Sequence, residues 1–433
     1  MKDQNEKTHL FQKVGLEGDE VHILQKKKPT QPQERVVILD ILRGFAILGI
    51  LISNMPYFQS PQIYNDLLVD KIWIHAWDPY IDKLYVALIK GKFYTMFSFL
   101  FGLGFILFIQ RAERSINKPR ILFARRMLVL LGIGIIHAIF IWWGDILVIY
   151  ALIGFILLFF YKSSPKVLLT WAIGLVTVYN VLNYLLVSLM VPKENAVDTG
   201  SITHASNGIL ENMKSSLNHY GEGTLTEIIL QNINDWLYIF PSSMISALFL
   251  ILPMFLLGAY FGKRSIFVRM NEHLYLFKKI WIWSLIFGFT LQMVKLWASN
   301  YLTANPESIY TFWYFVGVTI GDPLVCFFYL TSIVLLFQKQ VFKNLFTHIS
   351  RVGRMALSHY LFQSVICSFI FYNIGLGLYG DIGFGLGLLI ALIIYSVQLW
   401  FSLIWFKKYQ YGPLEWIWRM LTYGSKIRIN RGK

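Results

Sequence analysis

Charge is scarce in this chain, and so is cysteine. Of 433 residues only 15% are Asp, Glu, Lys or Arg, whereas a soluble globular protein carries about 25%, so a water-facing surface of this length cannot be covered. The two cysteines, Cys326 and Cys367, both sit in apolar runs, which excludes a disulfide framework and a cysteine-based zinc finger. A cleavable signal peptide is missing as well: Met1 to Arg35 is polar, holds the basic run Lys26-Lys27-Lys28 and has no apolar core before residue 36. What the chain has in excess is apolar and aromatic side chains, 56% of the total, with a mean hydropathy of +0.53. Apolar stretches of about 20 residues recur, the length that crosses a bilayer as a helix. The composition therefore specifies an all-α, polytopic membrane helix bundle. A net charge of +15 would suggest nucleic acid in a soluble chain, but here its placement fits orientation in a membrane, and nucleic acid is not an expected partner.

Ten spans are predicted, at 36–58, 86–110, 121–141, 145–161, 167–191, 237–261, 278–298, 311–337, 355–374 and 383–406. The third and fourth meet at the tight corner Trp142-Trp143-Gly144-Asp145. Three regions follow: a basic tail at 1–35, a transmembrane domain at 36–406 with a Ser/Asn-rich loop at 192–235, and an amphipathic segment at 407–433. With the N-terminus inside, the cytoplasmic segments carry 31 Lys and Arg and the opposite side 7, Arg43 inside the first span completing the 39. An asymmetry of this size puts both termini in the cytoplasm and the 192–235 loop outside.

Charge near the bilayer centre costs at least ~2.5–3.5 kcal/mol and usually faces the bundle interior. In the first span Asp40, Arg43 and Asn54 share one stripe of the helix, the last about 16 Å above Arg43 at 1.5 Å per residue. The third span repeats this geometry, with Arg125 and Arg126 at the cytoplasmic end and His137 about 16 Å higher. Asp145 follows at the outer corner, where a carboxylate can orient an imidazole and raise its basicity. Each set also has a plain structural reading, as an ion pair or a packed polar residue. Lys92, at the outer end of the second span, is placed to snorkel to the interface. Asp322 lies in the eighth span beside Pro323, where a buried acid at a kink suits a proton or ion path. His359 and Gln363, one turn apart, line a cavity or pack in the core. No metal site is expected. Near the C-terminus a helix starting at Pro413 presents Leu414, Ile417, Trp418 and Leu421 on one face, with Glu415 and Arg419 spaced to pair, and reads as an anchor lying on the cytoplasmic surface.

Several runs taken together resemble the YeiB-like family of bacterial membrane proteins. They are Leu39-Asp40-Ile41-Leu42-Arg43-Gly44 through Asn54; Lys92-Phe93-Tyr94 with Phe97-Ser98-Phe99-Leu100-Phe101-Gly102-Leu103-Gly104; and Arg125-Arg126 through His137 to Gly144-Asp145-Ile146-Leu147 and Tyr150. Gly353-Arg354-Met355-Ala356-Leu357, Tyr360-Leu361, Gln363-Ser364 and Gly412-Pro413-Leu414-Glu415-Trp416 with Arg419 continue the match, so that it covers Arg35 to Thr422. His359 is a departure, since that family more usually has Asn there. The family is similar to a wider superfamily of transmembrane acyltransferases that includes heparan-alpha-glucosaminide N-acetyltransferase. The resemblance implies a catalytic role for Asn54 and for a histidine soon after the first span, which His75 in His75-Ala76-Trp77 matches at a different spacing; His137 is the preferred base.

The expectation is a multi-pass protein of the bacterial cell membrane that moves an acyl group from cytosolic acyl-CoA to an outer hydroxyl or amine. Arg43, Arg125 and Arg126 would hold the donor phosphates, His137 oriented by Asp145 would deprotonate the acceptor, and Asn54 would donate to the developing oxyanion. Expected partners are membrane lipids and a small-molecule, glycan or lipid acceptor, with homo-oligomerisation left open. The rival reading is a proton-coupled transporter using Asp40, Arg43, His137, Asp322 and His359; a third is a non-catalytic membrane partner.

Overall fold

The computed structural model describes residues 36–68, 71–114, 116–190, 199–301, 309–339 and 341–430; the basic tail lies outside them. The chain is an all-α polytopic bundle; among the described residues eight helices are long and apolar enough to span a bilayer, and two shorter apolar helices, Leu147–Phe160 and Ala356–Phe371, fall at the other two predicted spans.

The first span, α1 (Val37–Gln59), is followed by the short α2 (Gln62–Asn65) and by α3 (Asp78–Leu88). The chain then breaks at Gly91, whose φ of +93° suits glycine, and resumes as α4 (Lys92–Glu113). The second span therefore starts later than expected. Next come α5 (Pro119–Phe140), α6 (Leu147–Leu157) and α7 (Pro165–Met190), the first and third opened by a proline whose missing N–H costs nothing there. The polar stretch expected as a loop at 192–235 instead holds α8 (Thr199–Gly221) and the start of α9 (Leu225–Lys263). Thr224 and Glu227 form a reciprocal capping box at the start of α9. The later spans are interrupted: α10 (Leu274–Trp283) joins α11 (Phe289–Ser299) through a π-turn at Ser284–Gly288, and α12 (Ile309–Val316) joins α13 (Asp322–Gln338) through another at Gly317–Gly321. Amphipathic α14 (Lys343–Arg354), then α15 (Ala356–Phe371), α16 (Phe384–Lys408) and α17 (Pro413–Tyr423) follow, the last ending at Gly424 in the left-handed conformation.

Helix α1 is central, packing against α4, α14, α15 and α16, while α4 lies along α9. Two pairs of glycines set these distances. A Cβ on Gly353 would fall 1.8 Å from the Asp40 carbonyl oxygen and one on Gly44 would fall 2.2 Å from that of Ile349; on Gly102 and Gly258 it would meet the Phe255 and Phe99 carbonyls at 1.9 and 2.0 Å. Small residues that let backbones touch are what membrane helix packing favours.

Segments assigned by charge to one side of the membrane meet in space. At one end Trp418 donates to the Arg126 carbonyl, Arg354 to that of Gln410 and Lys263 to that of Tyr161. At the other, Gly380 donates to the Gln59 carbonyl and Asn373 to that of Tyr220. There the wholly buried Asp235 accepts from Tyr64 at 2.6 Å, Tyr220 at 2.9 Å and the Gln231 amide at 2.8 Å, pinning α8 to the bundle.

Candidate functional site

A cavity of about 520 Å³ lies among α1, α4, α5, α6, α15 and α17. Along α1 its wall runs from Val36 to Ile50 and along α4 from Phe97 to Ala112, about 21 Å of helix at 1.5 Å per residue. The two ends differ in chemistry. One is lined by Arg43, Arg111, Arg114, Arg126, Arg354 and Arg419, with Asp40 and Glu415 as the acids; the other is lined by apolar and aromatic side chains, Ile50, Phe97, Leu147, Tyr150 and Tyr360 among them. Six guanidiniums against two carboxylates make the first end strongly electropositive.

Asp40, Arg43, Arg126, Arg354, Arg419 and Glu415 have identifiable contacts. Asp40 Oδ1 accepts from Arg43 Nη1 at 2.7 Å, the ion pair anticipated one turn apart on α1. The Arg126 guanidinium lies 3.6 Å over the Trp418 ring, while the Trp418 indole N–H donates to the Arg126 carbonyl at 2.9 Å, so α17 is clamped to α5 twice. Arg354 stacks at 3.9 Å on Phe406 and Arg419 at 4.7 Å on Tyr411. Glu415 does not pair with Arg419 as its spacing suggested. Its carboxylate accepts the Leu357 N–H at 2.7 Å, the Ser358 N–H at 3.0 Å and the Ser358 hydroxyl at 2.6 Å, satisfying the free donors at the start of α15. Burial pushes the Glu415 carboxyl above its ordinary value, opposed by those Ser358 and Leu357 hydrogen bonds. Helix α17, read from the sequence as a surface anchor, thus forms a wall of the cavity.

At the apolar end the expected pair of His137 and Asp145 is present. His137 Nδ1–H donates to Asp145 Oδ2 at 2.7 Å, and Asp145 Oδ1 accepts the Val148 N–H at 2.7 Å at the start of α6. Gly134 makes room for this corner, since a Cβ there would lie 2.7 Å from the Val148 nitrogen. With the proton fixed on Nδ1, Nε2 carries the lone pair. That Nε2 is buried and, among the described residues, has no hydrogen-bond partner. His137 sits one layer behind the cavity wall, with its ring centroid 5.3 Å from that of Tyr360, which lines the cavity.

The remaining expected residues disperse. Asn54 is half-buried on α1 and does not line the cavity. Arg125 is exposed and lies against Gly424 rather than in the cavity. His75 is exposed, its ring 4.8 Å from that of Trp77. His359 and Gln363 face α16: His359 Nε2 meets the Ser402 hydroxyl at 2.7 Å, and Gln363 donates to Gln398 at 2.9 Å. They form a packed polar seam.

Lys92 does not snorkel. It is wholly buried and its ammonium meets Asp322 Oδ1 at 2.8 Å, the Gln292 carbonyl at 2.9 Å and the main-chain carbonyls of Val86 at 2.6 Å and Lys90 at 3.0 Å. Lys295 meets both Asp322 oxygens at 3.0 Å, and Gln292 Nε2 donates to Oδ1 at 2.9 Å. Burying Lys92 at the start of α4 satisfies a carbonyl in the last turn of α3, one in the connecting turn and, together with Lys295, the Asp322 carboxylate. Sequence reasoning missed Lys295, and in the cavity Arg111, Arg114, Arg354, Arg419, Trp418 and Tyr360. The arginines were hidden in the general cytoplasmic excess of positive charge; only their convergence in space from α4, α14 and α17 sets them apart.

Residues 261–425 match the family model described as "Protein of unknown function (DUF418)", a stretch that contains Asp322, Arg354 and Arg419. The chain is 35% identical over 413 residues to the uncharacterized protein YxaH of Bacillus subtilis (strain 168), covering 92% of this chain and 96% of that one. It is 30% identical over 414 residues to an uncharacterized 39.9 kDa protein in the amylase 3' region of Bacillus acidopullulyticus, covering 93% and 97%. Over 416 residues it is 26% identical to the uncharacterized protein YeiB of Escherichia coli (strain K12), covering 90% and 96%.

Proposed function

The chain belongs to the YeiB-like, DUF418 family of membrane proteins, and on that premise we propose that it is a transmembrane acyltransferase of the bacterial cell membrane. Its donor is a cytosolic acyl-CoA and its acceptor a hydroxyl or amine delivered from the opposite side. The observation that carries this reading is the polarity of one cavity. A histidine base with Nδ1 held by a carboxylate and Nε2 free adjoins its apolar end, and six arginines ring the other.

The arginine-rich end faces the cytoplasm in this reading, in keeping with the excess of basic residues on that side. Arg43, Arg111, Arg114, Arg126, Arg354 and Arg419 hold the donor phosphates, for which guanidiniums are geometrically suited. The thioester arm runs along the cavity toward Tyr360. His137 lies behind Tyr360, so the wall beside it must open to the acceptor before His137 Nε2 can take the proton from the acceptor O–H or N–H as the acceptor attacks the thioester carbonyl carbon. The tetrahedral intermediate collapses with cleavage of the C–S bond, and the Nε2 proton goes to the leaving thiolate, so that free CoA thiol and acylated acceptor are the products. Asp145 keeps the imidazole in the required tautomer and stabilises its protonated form. Asn54, outside the cavity, has no part in this scheme.

The test is made on the purified full-length protein. Calorimetry should detect binding of acetyl-CoA, and thiol release should be catalysed. His137→Ala should cut turnover by ~10²–10⁴-fold with CoA affinity retained, whereas Arg419→Ala should weaken CoA binding. Absence of both CoA binding and thiol release would refute the reading. One observation favours transport instead: the buried Lys92, Asp322 and Lys295 lie where two π-turns interrupt the spans, and such turns mark functional positions in many helices. Solute flux in liposomes that needs Asp322 and consumes no acyl-CoA would establish that alternative.

A further inference from the structure

Acyl transfer through His137 needs a hydrogen-bond donor for the oxygen that becomes negative when the thioester carbonyl is attacked. Asn54, the residue suggested by sequence, does not reach the cavity. The polar groups that do line its apolar end are few. The Tyr150 hydroxyl donates to the Tyr94 carbonyl at 2.9 Å and also meets the Ser98 hydroxyl at 2.7 Å, while Ser98 in turn donates to the Tyr94 carbonyl at 2.7 Å. Two hydroxyls share one carbonyl and one another, which leaves neither hydrogen for a ligand.

Tyr360 is different. Its hydroxyl oxygen accepts the Ile146 N–H at 3.3 Å, and among the described residues no acceptor takes the hydroxyl hydrogen. Tyr360 and Ile146 both line the cavity. The Tyr360 ring also packs against His137, at 5.3 Å between centroids. Tyr360 therefore lines the cavity, lies against the base and carries one hydroxyl hydrogen that is uncommitted among the described residues.

We infer that Tyr360 is a catalytic residue whose hydroxyl donates a hydrogen bond to the thioester carbonyl oxygen of the bound acyl-CoA. This rests on the acyl-transfer reading and adds to it the group that polarises the carbonyl. The carbonyl draws more strongly on the donor as the C=O bond opens to the oxyanion, so the contact strengthens in the transition state, and the Ile146 N–H holds the hydroxyl in place meanwhile. The proton stays on the tyrosine oxygen throughout; the acceptor's proton goes to His137 as above.

The experiment uses acetyl-CoA labelled with ¹³C at the carbonyl and infrared difference spectra of the full-length protein, which need no knowledge of the acceptor. A hydrogen bond lowers the C=O stretching frequency. The wild type and His137→Ala should show the lowered band, and Tyr360→Phe, which keeps the ring against His137, should show it back at the position of an unbonded thioester. The Kd of Tyr360→Phe should rise no more than about tenfold, the worth of one neutral hydrogen bond. Turnover should fall by ~10²-fold, as for loss of one oxyanion donor. A lowered band that persists in Tyr360→Phe overturns the assignment of Tyr360 and leaves the acyltransferase reading intact. Failure of the wild type to bind acetyl-CoA overturns both.

Discussion

The buried trio of Lys92, Asp322 and Lys295 makes a quantitative prediction because its charges do not balance. One carboxylate meets two ammoniums, at 2.8 and 3.0 Å, and all three side chains are almost or wholly without solvent contact. At an effective dielectric near 20, each such contact is worth about 5–6 kcal/mol of attraction before desolvation is counted. Asp322→Asn leaves two ammoniums together with no counter-charge, and breaking a buried pair in this way costs about 3–5 kcal/mol or more. Lys92→Met leaves Lys295 and Asp322 as a balanced pair, so no charge is stranded; what is lost is the donor to Gln292 and to the carbonyls of Val86 and Lys90, at about 1–3 kcal/mol for buried groups left unsatisfied. Lys295→Met removes a cation whose hydrogen-bond acceptors are both oxygens of Asp322 and leaves Lys92 in its full set of contacts, so it is the mildest of the three. Thermal unfolding of the purified protein in one detergent, followed by intrinsic fluorescence or by fluorescence-detected gel filtration, should rank the losses as Asp322→Asn, then Lys92→Met, then Lys295→Met. A Lys295→Met variant as damaging as Asp322→Asn would show that the net positive charge is compensated by something else and would refute the charge argument.

Three further outcomes follow. Cysteine at Asn212 in α8 should react with an impermeant thiol reagent in intact cells, whereas cysteine at Ser164 should react only after permeabilisation; the native Cys326 and Cys367 are buried and give little background, and the opposite pattern would reverse the orientation. Since burial raises the Glu415 carboxyl, the stability it contributes is full below the ordinary glutamate range and falls as pH rises through the raised value; Glu415→Gln should flatten the pH dependence of the unfolding temperature from about pH 4.5 upward, and an unchanged slope would contradict this. Gly258→Ala places a Cβ 2.0 Å from the Phe99 carbonyl oxygen and should cost about 1–3 kcal/mol by overpacking, whereas Gly174→Ala, with nothing within 4 Å of the new Cβ, should be neutral or slightly stabilising; equal effects on folded yield would mean that α4 and α9 do not pack so closely.

What could be read in the sequence was what is local. The ten spans follow from apolar runs of bilayer length, and Asp40 with Arg43 and His137 with Asp145 are three and eight residues apart, close enough for helix and corner geometry to predict the contact. Lys92 meets Gln292 across 200 residues, and Glu415 meets Leu357 across 58; neither pairing leaves a periodicity to find. In both cases the nearer interpretation, a snorkelling lysine and an i,i+4 pair, is chemically sound and loses to a buried partner supplied by another helix. Helix α8 was obscured by its polar composition, although Ile209, Met213, Leu217 and Tyr220 recur at helical spacing and face the core. Asn54 shares the stripe of Asp40 and Arg43, but the cavity follows that stripe only as far as Ile50.

The clamp between Arg126 and Trp418 also has a consequence for biosynthesis. Arg126 enters the membrane early with α5, whereas Trp418, Arg419 and Glu415 are translated after all ten spans. During most of synthesis Arg126 lacks the ring that later covers it, and the first turn of α15 lacks the carboxylate that later caps it. The cavity is therefore the last part of the bundle to be completed. A nascent chain halted after α16 would contain the helices that line the rest of the cavity and still lack the wall that α17 supplies.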